Sequence, residues 1–79
     1  MELKIDQFIR SIEDQYDDVE RGKIKPDSKI REAFEWNSIN ALIIIALIKT
    51  EYDVDIDAED LREAQTIQDL FNLIVKRHN

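Results

Sequence analysis

Eight apolar residues in a row, Ala41 to Ile48, stand in a 79-residue chain of which 37% is charged. A run of that kind has to be buried on at least one side, so it marks the core of whatever the chain folds into. It is far shorter than the ~20 residues a membrane-spanning helix needs. The three isoleucines at its centre, Ile43 to Ile45, favour a strand by propensity. The length of the segment and the placing of its polar residues favour a helix, about 38–51. On a helical wheel Ala41, Ile44, Ile45, Ile48 and Tyr52 form an arc with no polar member, while Asn40, Lys49, Thr50 and Glu51 lie off it. That arc is the expected core face. Ile39, Ile43 and Ala46 then point outward near Thr50, an apolar patch of the kind that marks a binding surface.

The rest of the chain also reads as helical. One Gly and one Pro leave little material for hairpins. Ile5, Phe8, Ile9, Ile12, Tyr16 and Val19 recur at steps of three and four and predict an amphipathic helix over roughly 2–19. Glu13, Asp14, Asp17 and Asp18 sit near its end, against the helix dipole, and fray it. Arg21 to Asn37 is a long connection, opened by Gly22 and stiffened by Pro26, with Ile24, Ile30 and Phe34 to pin it and a helical turn within 28–34. Val54 and Ile56 alternate with acids in an extended link. Asp57 then caps a short helix over 58–63, and Thr66 caps the last helix, with Asp69 completing a capping box. The sum is an all-α fold, a small four-helix bundle of three longer helices and one short one, in a single domain over 1–79.

Most chemistry is excluded by what is absent. There is no cysteine, so no disulfide, no thiolate metal site and no protein thiol. The only histidine is His78, which leaves no Ser–His–Asp triad, and there is no glycine-rich phosphate loop. Asp53, Asp55 and Asp57 have the opening spacing of a calcium loop, but Ala58 stands where the turn glycine belongs and Ala64 where the bidentate Glu belongs. No catalytic residue and no metal site is expected. A net charge of −7 repels nucleic acid and anionic membranes and suits partners with basic surfaces. The basic cluster Arg21, Lys23, Lys25, Lys29 and Arg31 has no interleaved aromatics and reads as solvated loop. The first residues, MELKIDQF, carry no apolar leader, which points to a cytoplasmic protein.

Ser38 remains. As a residue at a helix start it can cap the first turn. An anion attached to its hydroxyl would also sit on the positive end of the helix dipole. Asn37-Ser38-Ile39 at this position resembles the Asp-Ser-Leu motif of the acyl carrier proteins and related phosphopantetheine carrier domains. The resemblance extends over most of the chain: the amphipathic first helix, the long loop, the serine-headed helix followed by Tyr52-Asp53-Val54, and the last helix opening at Thr66-Ile67. It implies that Ser38, flanked by Asn37 and Ile39, carries 4′-phosphopantetheine from coenzyme A, whose thiol holds acyl groups as thioesters. It implies no catalysis by the chain itself. The implied partners are a phosphopantetheinyl transferase, a loading ligase or acyltransferase, and downstream lipid, polyketide or related biosynthetic enzymes. They would meet a monomer on a face made by Trp36, Ile39, Ile43, Ala46, Lys49 and Thr50. Typical carriers are acidic at the matching outward positions, so this one reads as a specialised, free-standing carrier that docks through apolar contacts. An aminoacyl or peptidyl carrier is the alternative within the family, and an unmodified helical adaptor the alternative outside it.

Overall fold

The computed structural model describes residues 3–16, 19–33 and 37–78. Five helices follow one another: α1 (Ile5–Gln15), α2 (Ile30–Ala33), α3 (Ser38–Tyr52), α4 (Ala58–Glu63) and α5 (Ile67–Arg77). Three are long and two short. The turn expected within 28–34 is α2, a single helical turn, so the bundle is the anticipated one with that turn added.

Each long helix contributes one apolar face. Phe8, Ile9 and Ile12 of α1 pack with Ile44, Leu47 and Ile48 of α3 and with Ile67, Leu70, Phe71 and Ile74 of α5. The Phe8 ring meets Tyr52 edge-on, with centroids 6.0 Å apart, and Phe71 at 5.8 Å. The core face of α3 is turned from the expected arc. Ile44 and Ile48 are buried as anticipated, but Leu47 joins them, while Ala41, Ile45 and Tyr52 only flank the core. Ile43, placed outward by the wheel, is half-buried at the margin, and the outermost apolar residues are Ile39 and Leu42. The reason lies in the sequence of α3, which is apolar nearly all round. Its few polar residues do not mark a face, and packing against α1 and α5 decides the rotation.

α1 ends at Gln15, short of the expected boundary. Its last turn holds no basic residue, and the chain supplies donors from further on. The Gly22 amide donates to the Glu13 carboxylate at 2.8 Å, and Arg21 pairs with Asp14 at 3.2 Å. Gly22 makes this return in the left-handed region, at φ 86°. The long connection is tied down by backbone hydrogen bonds to the segment before α5. The Ile30 amide donates to the Gln65 carbonyl (2.9 Å), the Ile67 amide to Ser28 (3.0 Å) and the Gln68 amide to Pro26 (2.8 Å). Ile24 and Ile30 are buried beneath it, and Phe34 lies outside the described residues.

The link from α3 to α4 alternates as its sequence does, with Val54 and Ile56 buried and Asp53, Asp55 and Asp57 exposed. The three aspartates have separate jobs. Asp53 takes the left-handed conformation that closes α3 (φ 55°), and it shares Lys49 with Asp55, at 3.1 and 3.4 Å. Asp57 forms a reciprocal capping box with Asp60, as Thr66 does with Asp69 at the head of α5. Asp60 also receives the Arg77 guanidinium through both oxygens, at 2.7 and 3.1 Å, while Arg77 reaches the Asp55 carbonyl at 3.1 Å. This clamp holds the end of α5 against α4 and the link. The Arg77 hydrogen bonds, followed by the Asp57 amide, keep the Asp60 carboxyl below the usual carboxylate range.

Two outcomes follow. Ile44→Ala and Leu47→Ala should each cost about 2–5 kcal/mol in denaturant melts, as buried large-to-small changes do, while Leu42→Ala should stay within about 0.5 kcal/mol of wild type. Because folding depresses the Asp60 carboxyl, its contribution is present above the unfolded carboxylate range and is lost as pH falls through the folded value. Arg77→Met should therefore lower the melting temperature at neutral pH, and its gap to wild type should close on acidification below about pH 4.

Candidate functional site at the head of α3

The start of α3 divides two tasks between neighbouring residues. Asn37 lies outside the helix in extended conformation, and its side-chain oxygen accepts from the Asn40 amide at 2.8 Å. Its carbonyl accepts from the Ala41 amide at 3.0 Å. Asn37 is therefore the cap, and the expectation that Ser38 could serve as the cap is corrected. Both residue types cap well, and the backbone starts the helix one residue earlier than a Ser38 cap would need. Ser38 is the first helical residue, exposed, with its hydroxyl outside every hydrogen bond found among the described residues. The other two serines are engaged. Ser11 donates to the Gln7 carbonyl at 3.0 Å, and the Ser28 oxygen accepts from the Lys25 amide at 2.8 Å.

The electrostatics of α3 suit an anion at this point. Its first turn contains no acid and its last turn holds Lys49, so no acid within the helix's first turn offsets the positive end of the dipole where Ser38 sits. With Asn37 in place of an aspartate, the residue directly before Ser38 brings no negative charge to a group on its oxygen. The single histidine, His78, caps the far end of α5.

Ser38 opens onto a groove of about 480 Å³ between α3 and α4. Its walls are Ser38, Ala41, Leu42 and Ile45 from α3, and Ala58 and Arg62 from α4. A second hollow, of about 680 Å³, lies on the other side of the helix start, against α2 and the long connection. Asn37 and Asn40 border it, and Ser38 does not.

The residues expected to meet partners are distributed unevenly. Ile39 is 69% exposed, and Ala46, Lys49 and Thr50 are exposed along the same helix. Ile43 is half-buried and contributes only an edge. Trp36 lies outside the described residues. Lys49 is exposed but committed: the hydrogen bonds it donates to Asp53 first, then Asp55, raise its ammonium above the ordinary lysine range. Leu42, 65% exposed and one turn beyond Ser38, was not picked out from the sequence. Its spacing from Ile39 and Ser38, at steps of three and four, was the available signal. Arg62 was missed as well, and no local pattern reveals it, because only the packing of α4 on α3 brings it to the groove.

Comparison with known proteins agrees with this geometry. The family described as "Phosphopantetheine attachment site" matches residues 6–74. Proteins called acyl carrier protein from Chlorobium phaeobacteroides, Chlorobium phaeovibrioides and Chlorobium luteolum are each 32% identical over 59 residues, which is 75% of this chain and 76% of theirs. The family match takes in the exposed serine at the head of α3, the groove beside it, all of α3 and most of α1 and α5, and on that extent of agreement the chain belongs to the phosphopantetheine attachment family.

Proposed function

We propose that the protein is an acyl carrier, a single carrier domain over 1–79, with 4′-phosphopantetheine joined through a phosphodiester to Ser38. The observation that carries the assignment is the exposed Ser38 hydroxyl, free of hydrogen bonds among the described residues, at the first position of a 15-residue helix already capped by its neighbour. The arm adds the thiol that the cysteine-free chain lacks and holds cargo as a thioester. The chain is a carrier and not an enzyme. Attachment requires a phosphopantetheinyl transferase, which brings the groups that activate the Ser38 hydroxyl. A ligase or acyltransferase then loads the thiol, and biosynthetic enzymes consume the cargo. Among the described residues no helix is long and apolar enough to cross a membrane. We place the carrier in the cytoplasm as a monomer, docking through Ile39, Leu42 and Ala46 at the head and outer face of α3.

Incubation with a phosphopantetheinyl transferase and coenzyme A should add one phosphopantetheine group to the intact mass of the wild type and none to Ser38→Ala. An unchanged wild-type mass would leave the unmodified adaptor as the reading. Since Asn37 is the cap, Ser38→Ala should keep its stability within about 0.5 kcal/mol, whereas Asn37→Ala should lose about 0.5–2 kcal/mol.

Docking should depend more on apolar contact than on charge at this face. Charge pairs on a surface are screened beyond roughly 8–10 Å at physiological salt, and apolar contacts are not. Leu42→Asp should weaken transferase binding by about 1 kcal/mol or more, mainly through faster dissociation. Raising salt should slow association, through the net charge of −7, more than it speeds dissociation.

A further inference from the structure

The groove between α3 and α4 differs in charge from the rest of the molecule. The chain holds 18 acidic and 11 basic residues, yet among the described residues no carboxylate lines this groove, and Arg62 does. Arg62 joins none of the ion pairs found among the described residues. The acids around it in α4 leave it available: Asp60 is taken by Arg77, and neither Glu59 nor Glu63 pairs with it. The hollow on the other side of the helix start is different. There Lys23 and Lys29 are matched by Glu20 and Glu32, with Lys23 and Glu20 at 3.9 Å, and the Ser38 side chain does not reach that wall.

Resting on the reading that Ser38 carries the arm, we propose that Arg62 holds the phosphodiester on Ser38 and thereby directs the arm into the α3–α4 groove. The phosphodiester is fixed to a residue of the same groove wall, so it is the anion with the least distance to travel. A guanidinium matches phosphate oxygens through paired N–H donors, which an ammonium does not. Beyond Arg62 the lining of Ala41, Leu42, Ile45 and Ala58 suits the apolar parts of the arm and of an acyl chain. Arg62 is exposed, and exposed ion pairs are weak, so the pair biases the direction of the arm by up to roughly fivefold and does not lock it. A shuttle has to release its arm to each enzyme, and a bias of that size permits release. Arg62 is a positioning residue in this account.

The test compares wild type, Arg62→Gln, Arg62→Lys and Lys29→Gln, each converted with transferase and coenzyme A and verified by intact mass. Phosphorus NMR reads the environment of the phosphodiester, and backbone amide shifts of Ala41, Leu42, Ile45 and Ala58 read the position of the arm. In the wild type, attachment should move the groove amides. Arg62→Gln should remove about half or more of that movement and shift the phosphorus signal towards its solvent-exposed value, and Arg62→Lys should fall between. Salt at about 1 M, where screening acts over roughly 3 Å, should reproduce the Arg62→Gln result in the wild type. Lys29→Gln should change neither signal. Before attachment, Arg62→Gln should leave the melting temperature and the α3 amides unchanged, which separates positioning from a structural role. Identical phosphorus signals in wild type and Arg62→Gln, or a response to Lys29→Gln instead, would overturn the proposal while the carrier reading stands. A chain whose mass does not rise overturns both.

Discussion

Burial of Ile44, Leu47 and Ile48 sets the rotation of α3, and the rotation sets which side chains its head presents. Complete burial of side chains this size is worth about 1.5–3 kcal/mol each, a large share of the 5–15 kcal/mol that holds small domains together. No polar interaction on α3 competes with that. The Asn37 cap and the Lys49 pairs lie at its ends, where they define its limits without turning it. With the core side fixed by α1 and α5, Ile39 and Leu42 have to face solvent, and Ser38 has to open beside α4.

Secondary fastenings then hold the small elements around that helix. α4 has six residues, too few to be stable alone. It stays in place through Leu61 in the core, the Asp57–Asp60 box and the Arg77 clamp from α5. Much of the groove wall facing Ser38 therefore depends on contacts that α4 makes through residues outside the groove lining. The site itself contributes little to stability: its serine is exposed, its cap is one hydrogen bond, and its apolar residues are outside. That separation lets the exposed face of α3 vary while the core stays the same.

Much of this was legible in the residues. The three-and-four spacing in α1, the capping residues Asp57 and Thr66, the alternation at Val54 and Ile56, and the serine at a helix start all express local chemistry, and each appears where its pattern put it. The departures have local causes too. Asn37 and Ser38 are both good caps in adjacent positions, and sequence alone cannot choose between them. The end of α1 was set too late because apolar spacing continues to Tyr16 and Val19, while Glu13 and Asp14, with no basic residue in the last turn, favour stopping. The face of α3 was misjudged because Leu42, Ile43 and Leu47 are equally apolar and differ only in their neighbours. Arg62 was invisible for a different reason: its importance is a relation between two helices, and no spacing along one helix encodes it.

The hydrogen bonds that tie Pro26, Ser28 and Ile30 to Gln65, Ile67 and Gln68 have a consequence for the order of assembly. The segment leading to Ser38 finds its partners near the end of the chain, so a chain emerging from the ribosome cannot complete this connection until the residues that begin α5 have been made. Until then two carbonyls and one amide of the connection stay with water, and a large loop remains to be closed at an entropic cost. The apolar run of α3 is meanwhile without its α5 partner, in a chain whose high negative charge opposes self-association during that interval. The approach to the serine thus takes its final form only once α5 is under way, which couples the geometry around Ser38 to synthesis of the segment that begins that helix.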